Sequence, residues 1–204
     1  MKLKSVLASL GAMVVGTALL VPSVASAQTS TTEEHNAYFA LKFGPYFPTE
    51  DNPFTAIGQS VQKWPTKYEV DGALGAYWGV FGLQLNAGYL TTGTSDYDFK
   101  AWPVLLIARL RLPLGFVAPY AEGGAGVAIS TLKGVGADQT KAAFEGVGGF
   151  GVDFYLGQFL VGAEAKYIWL NPGFTVTSAS NPNEAIQDFK FNGIAVQAYV
   201  GYLW

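Results

Sequence analysis

Residues Phe159 to Leu170 read FLVGAEAKYIWL, and residues Gly193 to Trp204 read GIAVQAYVGYLW. Large apolar side chains take alternate positions in both: Phe159, Val161, Ala163, Ala165, Tyr167 and Trp169, then Ile194, Val196, Ala198, Val200, Tyr202 and Trp204. Between them stand Gly162, Glu164 and Lys166, then Gly193, Ala195, Gln197, Tyr199 and Gly201. A period of two marks a β-strand with two unlike faces. Segments of about ten residues also suit a tilted strand crossing a bilayer.

The pattern repeats back to Ala37. Phe39, Leu41 and Phe43 oppose Ala40, Lys42 and Gly44; Tyr68, Val70, Leu74, Ala76 and Trp78 oppose Glu69, Asp71, Ala73, Gly75 and Tyr77. Leu83, Leu85, Ala87 and Tyr89 oppose Gln84, Asn86 and Gly88, and Trp102 to Leu112 alternate against Ala101, Leu105, Ile107, Arg109 and Arg111. Val117, Ala121, Ala125 and Val127 oppose Tyr120, Glu122, Gly124 and Gly126; Phe144, Phe150, Val152 and Phe154 oppose Glu145, Gly149, Gly151, Asp153 and Tyr155. The uncharged run Gly72 to Ser95 is long enough for a membrane helix, but its glycines alternate with apolar residues, so it reads as a hairpin.

Connections alternate in length. Pro48 to Lys67, Thr91 to Asp98, Ser130 to Lys141 and Asn171 to Asp188 read as long polar loops, whereas Gly79 to Gly82, Pro113 to Gly115 and Gly157 to Gln158 read as tight turns. The expectation is an all-β fold: an eight-stranded antiparallel up-and-down transmembrane β-barrel over residues 37–204, with turns in the periplasm and loops outside.

Composition decides which face is outside. Of 204 residues, 50% are hydrophobic and only 13% charged, against roughly 25% charged in an ordinary globular chain. The polar face is too sparse to wet a soluble surface and suits a lumen, where Lys42, Arg109, Arg111 and Lys166 meet Glu69, Asp71, Glu122, Glu145, Asp153 and Glu164. The apolar face sorts its aromatics by height. Tyr68, Tyr89, Trp102, Tyr167 and Trp169 fall toward the loops; Phe39, Trp78, Phe154, Phe159, Tyr202 and Trp204 fall toward the turns. Two such girdles match the two interfaces of a membrane.

Residues 1–27 read as a secretory signal peptide: Lys2 and Lys4, an apolar run from Val6 to Val21, then Ala25-Ser26-Ala27. Sec-type export and cleavage near Ala27 are expected, followed by a flexible periplasmic segment, residues 28–36.

With these features the chain resembles the small OmpA-like and OmpX-like outer-membrane β-barrels, through YFALKFGPYFP, PYAEGGAGVAIS, FEGVGGFGVDFYL and the terminus AVQAYVGYLW. The resemblance implies a cell outer membrane location and a terminal strand, marked by Gln197, Tyr202 and Trp204, that the barrel-assembly machinery reads. Tyr199 stands where the family often has Gly.

Candidate chemistry is thin. Gly146, Gly148 and Gly151 spell G-x-G-x-x-G, but strand follows where the dinucleotide fingerprint needs a helix. The sole His, His35, precedes the barrel, and with Glu33 and Glu34 makes only a solvated patch. No enzyme activity, cofactor or metal is expected. The acidic balance, 12 Lys+Arg against 15 Asp+Glu, offers no footprint for nucleic acid. The expected role is structural or surface-interacting, as a monomer in outer-membrane lipid with a side-chain-filled lumen. Exposed loop aromatics Phe54, Trp64 and Phe174 either meet an extracellular partner or fold back on the rim. The alternatives are a small passive channel of the OmpW-like type and, third, a lipid-modifying enzyme.

Overall fold

The structure is a computed structural model and describes residues 37–50, 65–93, 97–134, 137–174, 176–177, 185–186 and 190–204. The signal peptide, the 28–36 segment with Glu33, Glu34 and His35, and the loop aromatics Phe54 and Trp64 lie outside the described residues.

The strands are β1 (Ala37–Pro48), β2 (Lys67–Trp78), β3 (Phe81–Gly93), β4 (Tyr97–Arg111), β5 (Val117–Gly134), β6 (Ala137–Leu156), β7 (Phe159–Leu170), β8 (Val176–Thr177), β9 (Ala185–Ile186) and β10 (Gly193–Leu203). Eight of them close a barrel in the order β1-β10-β7-β6-β5-β4-β3-β2, and β8 and β9 pair as a separate ribbon. Each strand is antiparallel to its sequence neighbour in the barrel, and β1 meets β10 with Phe39 opposite Tyr202. Ala37 and Trp204 exchange backbone hydrogen bonds at the seam. Closure leaves the barrel without a sheet edge to solvate, which hydrocarbon demands.

The three turns form where the sequence places glycine. Gly79, Gly115 and Gly157 adopt φ of +63°, +77° and +67°, a left-handed backbone that costs other residues energy. Alternation then carries through each strand: β10 is buried and exposed by turns over its whole length. The exposed set is the apolar one. Phe150 is 69% exposed while Arg109 is 1% exposed, the inverse of a soluble protein. A wall of this kind is stable in hydrocarbon, and the molecule is a transmembrane barrel.

Two connections differ from expectation. The sequence suggests loops at Thr91 to Asp98 and Ser130 to Lys141, but β3 runs to Gly93, β4 starts at Tyr97, and β5 and β6 pair as far as Gly134 with Ala137. Ser130 opposes Lys141 and Lys133 opposes Asp138. These ends keep their hydrogen-bond ladder after their hydrophobic alternation has faded, because beyond the bilayer both strand faces can be polar. Exposed Lys133 and Asp138 and half-buried Lys100 occur in these loop-side ends.

Candidate functional site: the barrel interior

Small inward residues set the lumen's shape. A Cβ on Gly126 would lie 1.9 Å from the Val104 carbonyl oxygen, so only glycine lets β5 approach β4 there. A Cβ on Gly151 would lie 2.4 Å from the Tyr120 hydroxyl, so this glycine makes room for a ring. The G-x-G-x-x-G run accordingly lies inside one continuous strand, β6.

The interior is layered. At the turn end Tyr38, Tyr77, Tyr120 and Tyr199 pack with Leu160 and Leu203. Tyr38 and Tyr77 stack at 5.0 Å, and Tyr38 donates to Gln84 at 2.5 Å.

Above this layer Arg109 is the hub. Its guanidinium donates to Glu122 at 2.9 Å, to Glu164 at 3.0 Å, to Tyr120 at 3.1 Å and to Tyr77 at 3.3 Å, with Asp153 at 3.9 Å. It also lies 4.0 Å from the Tyr120 ring centroid. Glu164 collects further donors from Lys42 at 2.6 Å and Tyr120 at 2.8 Å. Asp153 accepts from Tyr199 at 2.5 Å, Tyr77 at 3.0 Å and Tyr155 at 3.3 Å. A planar, five-donor guanidinium suits such a hub, since four of its N–H groups find acceptors where water is scarce and Asp153 adds charge nearby.

Lys166 forms a second centre, 2.7 Å from Asp71 and 2.9 Å from Glu69, although the Glu69 contact lacks hydrogen-bond alignment. Glu145 is fully buried, and neither of its oxygens has a hydrogen-bond partner among the described residues. Both side-chain amide atoms of buried Gln197 likewise have no hydrogen-bond partner among the described residues.

At the loop end the lumen turns apolar. Phe99, Phe174 and Phe191 are 0% exposed and cluster with Tyr46, Leu90, Leu132 and Leu170. Phe99 and Phe191 stack at 3.5 Å, and Phe174 meets both edge-on at 6.3 Å. The Tyr46 hydroxyl donates to the Phe191 carbonyl at 2.5 Å, and Lys141 donates to the Gly173 carbonyl beneath Phe174.

Of the ten charged residues assigned to the lumen from sequence, nine are buried there; Arg111 is half-buried at the turn-side mouth. Arg111 donates to the Gly79 carbonyl at 2.8 Å and the Tyr155 hydroxyl at 3.0 Å, and stacks on Tyr77, with no ion-pair partner among the described residues. Glu122 opposes Arg109 across the β4–β5 turn. A Glu164–Lys166 pair along β7 is not formed: both side chains reach other strands instead. Residues two apart on one strand stand roughly 6.6 Å apart, and partners across the lumen come closer. Of the two placements open to Phe174, the structure shows the one folded back on the rim: the ring is sealed inside, because a phenyl ring gains by covering the apolar mouth.

The girdle residues lie on the outer wall. Tyr68, Tyr89 and Trp102 form a chain of ring contacts at 6.3 and 4.6 Å, and Tyr167 meets Trp169 at 4.7 Å. At the other end Tyr202 packs on Phe159 at 6.0 Å, near exposed Trp78 and Trp204. Sequence reading missed the phenylalanine cluster, although the inward parity of Phe99, shared with Ala101 and Leu105, marks it.

Solved structures of known proteins share this architecture. Neisserial surface protein A, from Neisseria, matches with a TM-score of 0.59 at 12% identity over 82% of this chain and 99% of its own. The fold is that of an eight-stranded outer-membrane β-barrel. The N-terminal barrel domain of Pseudomonas aeruginosa OprF aligns over 83% of this chain and 98% of its own, at 13% identity and a TM-score of 0.49. Outer membrane protein W of Escherichia coli aligns over 85% and 100%, at 15% identity and a TM-score of 0.47. At such identities the likeness is one of fold. No protein-family description matches the sequence, and no curated protein matches it.

Proposed function

We propose that this barrel is an integral outer-membrane protein of structural or surface-interaction type, exported by a cleaved leader, with an interior that does not conduct. The observation that carries the reading is the filled lumen: an Arg109-centred network crossed by side chains from β1, β2, β4, β5, β6, β7 and β10, closed at the loop end by Phe99, Phe174 and Phe191. Eight strands enclose a space about as wide as side chains can fill. The reading assigns contact with other molecules to the loop end, folding to the barrel-assembly machinery acting on β10, and no catalytic step to any described residue. The barrel works as a monomer in outer-membrane lipid.

Planar-bilayer recording tests it. Purified barrel should give no steady open conductance, and a steady ohmic current would replace this reading with the passive-channel one. The Phe cluster and the buried charges both stand against an apolar conduit. Incubation with labelled lipid A and phospholipid addresses the enzyme alternative, and unchanged lipid is the expected result.

A further inference from the structure

On the outer wall near the turn end, the surface sinks into an apolar groove of about 210 Å³. Its origin is local. Ala37 of β1 lies directly opposite Ala76 of β2, and two alanines in register lower a wall otherwise raised by larger side chains. Leu74, Leu85 and Leu106 form one flank, and Trp78 and Trp204 stand at the turn-side rim. Both indoles belong to the lower girdle, where one edge of the ring meets headgroups and the other hydrocarbon. The groove is therefore continuous with the lipid-facing band and opens into the leaflet on the turn side.

We propose that this groove is a phospholipid site that holds one acyl chain of a turn-side-leaflet lipid, its glycerol region level with Trp78 and Trp204. Within hydrocarbon an unfilled concavity forfeits dispersion contacts on its whole lining, and a flexible methylene chain is the membrane component shaped to enter it. The proposal rests on the transmembrane wall and not on the closed lumen, so a conductance result leaves it standing.

The test is native mass spectrometry of the intact barrel released from mild detergent after addition of palmitoyl-oleoyl phosphatidylethanolamine. Wild type should retain a one-lipid peak, and Ala76→Phe, which fills the floor, should lose it. Ala163→Phe, on the outward face of β7 away from the groove, should keep it. Folding of each variant is checked by heat-modifiable gel mobility, and Ala37→Phe fills the same floor from β1 if Ala76→Phe fails to fold. Equal lipid retention in wild type and the floor variants overturns the proposal, as does a wild-type dimer that the floor variants dissociate, which would make the occupant a second copy.

Discussion

Glu145 and Glu164 are the same residue type with opposite circumstances. Glu164 takes contacts from Lys42, Arg109 and Tyr120, whereas Glu145 has no hydrogen-bond partner for either oxygen among the described residues. An unpaired buried carboxylate is a cost, and a paired one leaves its partners stranded when removed. Glu145→Gln should therefore raise stability to urea in detergent micelles, and Glu164→Gln should lower it by about 3 kcal/mol. Tryptophan fluorescence through the unfolding transition reads both, and effects of equal sign would refute this division of roles. Parity alone placed both residues in the lumen; it could not tell them apart, because partner choice depends on which strands face each other across the barrel, and that requires closure and register.

Strand boundaries were legible where the bilayer imposes two unlike solvents on one strand. Val161, Glu164 and Trp169 declare their faces at once. Above the membrane the rule lapses, which is why Thr131, Leu132 and Lys133 read as loop while lying in β5, with Thr131 and Thr140 facing each other across the hairpin at 3.1 Å. The same boundary yields a test. Leu106→Arg, on the outer wall between the girdle residue Trp102 and the β4–β5 turn, should cost about 2–4 kcal/mol in vesicle-refolded protein. Thr131→Arg, one element further along the chain and above the girdle, should change stability by no more than about 0.5 kcal/mol. Equal costs at both positions would mean that the membrane boundary lies elsewhere on β5.

For the whole molecule, closed hydrogen bonding predicts resistance to detergent: unboiled protein should migrate faster than boiled protein on a denaturing gel, and identical mobility would contradict the closed barrel. Removal of Trp204, whose backbone completes the seam with Ala37, should reduce the amount reaching the outer membrane, as measured by fractionation of cells. Normal levels would remove the terminal strand from the assembly pathway. Architecture was legible from sequence because eight period-two segments and alternating connections admit few topologies, whereas the apolar mouth was not, since Phe174 and Phe191 lie outside the barrel strands. That placement makes the two ends of the lumen mechanically unequal. The tyrosine floor is built from β1, β2, β5 and β10 themselves and can be lifted only by unmaking the cylinder. The phenylalanine stopper is seated by two connecting segments, through Tyr46, Lys141 and the Phe191–Leu170 backbone bond. A ligand or a force acting at the loop end would unseat it and leave the cylinder whole.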